Sequence, residues 1–141
     1  MRDMNDTERR EFLLSTARTA SLATVRRDGR PHVAPIWFDL DGDTVVFTTG
    51  DNTVKARNIR HDARVSLCVD DEEPPFAFVL VEGVAELLDN APDLRYWATR
   101  IGGRYMGEEL ADSYGARNSV EGELLVRVWT ANVVAQRNIA D

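Results

Sequence analysis

The stretch FTTGDNTVKARNI, Phe47 to Ile59, puts hydroxyls, cations and a turn into one short segment. An apolar strand ends at Thr48 and Thr49. A Gly-Asp-Asn turn follows, and a short helical run then carries Lys55, Arg57 and Asn58. Lys55 is the one lysine among 17 basic residues, all the others being arginine. A turn that closes a strand and opens a helix aims several unpaired backbone N–H groups into one space, and the helix dipole adds positive potential there. Thr48 and Thr49 supply hydroxyl donors, and Lys55 and Arg57 supply charge. Together these groups suit a phosphate. They suit equally a simpler arrangement in which the threonines cap the helix and the cations are solvated.

A second segment, HVAPIWF over 32–38, sets Pro35 and Ile36 beside Trp37 and Phe38. Proline in a strand removes a ladder donor and so marks an edge or a bulge. Next to flat aromatic surface, such a place suits a planar ring; an edge strand with core aromatics is the other reading. Phe76 and Phe78 are spaced to share one strand face behind the Pro74-Pro75 turn, where core packing is the default. Little else suits catalysis. His32, His61 and Cys68 lack metal-ligand spacing, and Cys68 lies mid-strand with no His near it in sequence, as an inert thiol would. Ser21 and Ser66 have no evident partner, and Asp70 to Glu73 read as a solvated turn. GGRYMG at 102–107 has the wrong context for a dinucleotide or P-loop. A cradle for an anionic, planar ligand without a nucleophile or general base points to an organic redox cofactor, which brings its own chemistry.

The elements that must hold these residues follow from pattern. Asp6 is placed to cap a helix over 6–16. Asp28-Gly29 and Asp41-Gly42 each lie between β-rich runs and read as tight hairpin turns. They predict a three-strand meander over 19–26, 32–39 and 43–49. A helix over 52–60 follows, then an alternating strand at ARVSLCVDD and a long strand over 76–87. One or two helices occupy 91–113, with a break at Gly102-Gly103. A last strand covers 122–136, with room for one more helical turn or strand. Six antiparallel strands in a chain of 141 residues favour closure into a small barrel, which removes exposed edges. The length fits one domain spanning 1–141. A net charge of −7 argues against a nucleic-acid partner. No apolar run approaches a membrane span, the charged N-terminus lacks a signal-peptide core, and the single cysteine fits a reducing, cytoplasmic setting.

These residues resemble the pyridoxamine-phosphate-oxidase-like split-barrel proteins, and within them the branch that uses the deazaflavin coenzyme F420. The resemblance runs from ASLATVRRDGRPHVAPIWF through FTTGDNTVKARNIRHDARVSLCVDD and FVLVEGVAEL to GELLVRV. It implies a six-stranded split β-barrel with flanking helices, assembled as a homodimer with two sites at the interface. It implies that the cofactor phosphate sits at the strand-to-helix turn, on Lys55 with Arg57 and Asn58. Thr48 and Thr49 then touch the cofactor, Pro35, Ile36 and Trp37 lie along its ring, and Phe76 and Phe78 line its channel. Residues from 91–113 are placed to serve the partner's site. Flavin-type oxidases usually carry Arg-Lys at this turn, and here Val54 replaces the Arg. That departure favours coenzyme F420 over the alternative, FMN. The implied activity is hydride transfer to a small, conjugated electrophile, with no side chain required as the acid. The other readings are an FMN-dependent oxidoreductase and a non-enzymatic cofactor or small-molecule binder.

Overall fold

Both Asp-Gly turns form. Gly29 and Gly42 have φ of 89° and 60°, a region that glycine enters without steric cost. In the computed structural model, which describes residues 1–141, the first turn joins β2 (Ala20–Val25) to β3 (Pro31–Ile36) and the second joins β4 (Asp39–Asp41) to β5 (Thr44–Gly50). Ahead of them lie β1 (Arg2–Asp3) and α1 (Asp6–Ser15). Asn5, rather than Asp6, caps α1: its side chain accepts from the Glu8 N–H at 2.8 Å, and Glu8 accepts from the Asn5 N–H at 3.2 Å. After β5 come α2 (Val54–His61), β6 (Arg64–Asp71), β7 (Ala77–Leu88), α3 (Leu94–Met106), a 3₁₀ turn, α4 (Ala111–Arg117) and β8 (Glu123–Arg137). The last strand runs unbroken to residue 137.

The expected six-stranded closed barrel gives way to one antiparallel sheet of eight strands that is not closed. Its order is β3-β2-β6-β7-β8-β5-β4, with β1 paired to β8. The expected meander is also corrected, because β3 and β4 sit at opposite ends of this order. The run 32–39 breaks at Trp37-Phe38, and the reason lies in the backbone groups of Phe38. Its N–H donates to the Tyr105 hydroxyl at 3.2 Å, and its carbonyl accepts from Arg104 at 2.8 Å. Groups taken by α3 cannot extend a ladder. Edge strand β3 carries Pro31 and Pro35, and edge strand β4 has three residues, both recognised ways of blunting an open edge.

One face of the sheet holds the main core, in which Leu22, Phe38, Phe47, Leu67, Val69, Val79, Val126 and Val128 are at most 1% exposed. Leu13 of α1 and Ile59 of α2 close it. Each such side chain contributes about 1.5–3 kcal/mol of burial. A second cluster, Val46, Leu94, Trp97 and Leu125, packs α3 on the opposite face of β5 and β8. Two-sided burial explains the unbroken apolar run Leu124-Leu125-Val126. Gly102 and Gly103 do not break α3, which continues to Met106. They let α4 approach: a Cβ on Gly102 would stand 2.5 Å from the Tyr114 Cβ.

Candidate functional site: a cleft at the start of helix α2

The turn between β5 and α2 is built from hydroxyls. Thr53, not Thr48 or Thr49, caps α2, accepting from the Ala56 N–H at 3.2 Å. Its hydroxyl also donates to the Gly50 carbonyl at 3.0 Å and lies 2.9 Å from the Thr49 hydroxyl. The N–H groups of Val54 and Lys55, in the first helical turn, have no intrahelical partner. Beside them opens a cleft of about 490 Å³. Pro35, Ile36 and Trp37 supply one wall. Thr48, Thr49 and Gly50 at the end of β5, with Thr53 and Lys55, supply the floor. Ala98 and Ile101 of α3, Arg117 and Asn118 at the end of α4, and Glu123 at the start of β8 complete it.

Six of the ten sequence candidates therefore meet in one place: Pro35, Ile36, Trp37, Thr48, Thr49 and Lys55. Lys55 is half-buried. Neither it nor Arg117 joins any ion pair; those run through Arg2, Arg9, Arg18, Arg30, Arg64, Arg100, Arg104, Arg127 and Arg137. The guanidinium of Arg117 rests 5.4 Å from the Tyr114 ring centre. Burial pushes the Glu123 carboxyl above its ordinary value. Arg117 pulls it back, Asp51 adds to the rise, and Lys55 pulls it back less strongly. The Trp37 indole stacks on Tyr105 at 5.1 Å with the planes 3° apart, and Tyr114 leans on it at 5.8 Å. Two cations outside any ion pair, the free Lys55 N–H and the Thr48 hydroxyl fit a phosphate, and the Pro35–Trp37 wall fits a ring.

The other four candidates lie elsewhere in the chain. Arg57 and Asn58 border a separate, open depression of about 570 Å³ with Arg26, Arg27, Arg30 and Val54. Asn58 is buried and donates to the Thr24 hydroxyl at 3.0 Å, which ties α2 to β2. Phe76 is not on the strand that follows it. It has φ of 65° and borders a third depression with Glu8, Glu11, Asp71 and Glu73, whose carboxylates disfavour an anion. Phe78 stands on β7 opposite Asp70 and Gln136. Arg100 and Arg104 hold buried Asp39 at 3.1 and 3.9 Å, and Arg104 also donates to the carbonyls of Leu13 and Thr16.

Sequence reading missed Thr53, Arg117, Asn118 and Glu123. Thr53 had a local signal, a threonine directly ahead of a helical run. The others had none, because only the packing of α4 on α3 and the pairing of Gly50 with Glu123 bring them to the cleft.

Comparison with known proteins agrees with this architecture. A conserved hypothetical protein, Rv2991, from Mycobacterium tuberculosis is 26% identical with a TM-score of 0.84, the match covering 98% of this chain and 89% of that one. A structure described as an F420 reductase is 27% identical with a TM-score of 0.62, covering 87% and 94%. An FAD-binding protein from Mesorhizobium loti is 19% identical with a TM-score of 0.66, covering 95% and 93%; at that identity the likeness is one of fold. Residues 6–132 match the family described as pyridoxamine 5'-phosphate oxidase. The chain belongs to that family.

Proposed function

We propose that the protein is a reductase that binds reduced coenzyme F420 and serves a small, conjugated, electrophilic organic substrate. The observation that carries this reading is Lys55, half-buried and unpaired beside free helix N–H groups, in a turn where Val54 stands in place of the arginine usual in flavin-type oxidases. The 27% identity to an F420 reductase supports the deazaflavin over FMN. When bound, the reduced deazaflavin supplies the hydride.

The chain's own residues bind and orient. Lys55 and Arg117 would attract the phosphate, and the free N–H of Lys55 and the Thr48 hydroxyl would donate to it. Pro35 and Ile36 offer an edge-strand backbone to the ring. Ala98 and Ile101 give the cleft its apolar side, against which the ring would lie. No side chain is assigned as the acid, so solvent protonates the product. Arg57, with Arg26 and Arg27, offers an anionic tail a basic exit next to the turn, Arg30 being held there by Asp28 at 2.9 Å. We further propose a homodimer. The outer sheet face supports this, since the register sets exposed Val84 beside Trp129, and Leu80 beside Val134.

Fluorescence titration of coenzyme F420 and FMN at two ionic strengths tests the assignment. The deazaflavin should bind in the low micromolar range, FMN about tenfold more weakly or worse, and the deazaflavin affinity should fall with salt. Tighter FMN binding, or a yellow flavin carried through purification, overturns it. Absence of turnover with every conjugated acceptor tried would favour a cofactor-binding role instead.

A further inference from the structure

We propose that Glu123 biases the Lys55 cleft towards a phosphodiester, with one negative charge, and away from a phosphomonoester, which carries about −1.5 to −2 at neutral pH. The inference rests on the reading of that cleft as the phosphate site, and goes beyond it by naming the charge state the site accepts.

Three elements bring ionised groups to the cleft: Lys55 from α2, Arg117 from α4 and Glu123 from β8. Glu123 has no side-chain hydrogen bond or ion pair, so its carboxylate cancels one of the two cations without being consumed by either. Its backbone is fixed, since it pairs with Gly50 and its N–H donates to the Val120 carbonyl at 3.0 Å. The carboxylate therefore cannot leave with a moving loop. Asp51, in the adjacent turn, does not line the cleft; its carboxylate lies 3.8 Å from the Cβ position of Gly122, beside Glu123, and adds to the negative side of the balance. The ionised side chains that line the cleft thus sum to +1, where Lys55 and Arg117 alone would give +2. Glu123 repels every negative charge on the ligand, so its presence costs a dianionic monoester about twice what it costs a monoanionic diester. The cleft is open to solvent, so the discrimination is moderate, about three- to tenfold. A deazaflavin phosphate esterified on both sides is of the accepted kind, and FMN is of the disfavoured kind.

The test uses two probes with the same ring: FMN and its phosphate monomethyl ester, each titrated into wild-type protein, Glu123→Gln and Arg117→Gln by flavin fluorescence. Glu123→Gln should tighten binding of the monoester more than that of the diester, moving their affinity ratio about three- to tenfold towards the monoester. Arg117→Gln should move the ratio the opposite way. Melting of both variants should stay close to wild type, since neither side chain anchors the fold. A ratio unchanged in both variants overturns the selection by charge. If Lys55→Ala weakens both probes while the Glu123→Gln ratio stays fixed, the charge filter alone fails. If neither probe binds the wild-type protein, or Lys55→Ala leaves both affinities unchanged, the phosphate reading fails and takes the filter with it.

Discussion

Replacing Gly102 by alanine sets two effects against each other with opposite signs. Gly102 lies inside α3, where alanine is intrinsically better by about 0.8–1.0 kcal/mol. The added Cβ, however, would stand 2.5 Å from the Tyr114 Cβ and 3.5 Å from the Ala111 carbonyl. Carbon atoms in good contact sit about 3.5–4.0 Å apart, so α4 must retreat by roughly 1 Å. The atom in the way is the root of a side chain and cannot swing aside. Overpacking of this kind costs about 1–3 kcal/mol. With so close a contact the cost falls in the upper part of that range, packing prevails, and the net loss is up to about 2 kcal/mol. For a chain of this size that is a fall in Tm of up to roughly 8 °C. The retreat also carries Tyr114 away from Trp37, and Arg117 and Asn118 away from the cleft, so cofactor affinity should fall with stability. Thermal melting followed by circular dichroism, with a cofactor titration on the same sample, reads both. A variant that melts above wild type would mean that the propensity gain is realised and that α3 and α4 do not approach as closely as described.

Lys55→Ala should weaken coenzyme F420 about ten- to a hundredfold, the worth of one charge-assisted contact, while melting stays unchanged because Lys55 makes no contact that the fold needs; an unaltered affinity removes the phosphate assignment. Light scattering at micromolar concentration should give about twice the chain mass of 15.8 kDa, and a value at 15.8 kDa rejects the homodimer. Glu8 is held down from its ordinary 4.5 to about 2, first by its hydrogen bond to Arg2, then by the Asn5 N–H. A lowered folded value means that its contribution is complete above pH 4.5 and is lost as pH falls towards 2; Glu8→Gln should therefore flatten the acid limb of the stability curve in that window, and an identical limb would refute the pairing.

The elements legible in the sequence were those specified by neighbours in the chain. The two Asp-Gly turns, the alternation of Val65, Leu67 and Val69, and the strand-to-helix turn into α2 are all local patterns, and all form, with the cap of α2 falling to Thr53 instead of Thr48 or Thr49. What failed was decided across distance. The run 32–39 looks like one strand until Tyr105 and Arg104, 66 to 67 residues away, take the backbone groups of Phe38. Gly102-Gly103 looks like a break until Tyr114 needs the space. Asp6 and Asn5 are both able to cap, and Glu8 three residues after Asn5 chooses between them by completing the capping box. In the site the division is the same. Lys55 and Thr48 announce themselves through the turn that they share, whereas Arg117 and Glu123 are ordinary surface residues until α4 and β8 are in place.

The open sheet and the cleft have a common cause. Had β3 and β4 paired, the backbone of Phe38 would lie in a ladder, and Trp37 would be one more side chain on a continuous wall. Instead α3 holds that junction. Tyr105 receives the Phe38 N–H and donates to the Arg18 carbonyl at 2.7 Å, Arg104 bridges Phe38 to α1, and Asp39 is fixed by Arg100. These bonds replace the missing ladder, so the edge does not fray. They also bring Ala98 and Ile101 to the cleft beside the end of β5, and the close packing of α3 on α4 then delivers Arg117 to the same cleft. Closing the sheet would remove the wall, the cover and the second cation together. The edge left unpaired between β3 and β4 is therefore what gives the Lys55 turn a cleft to face.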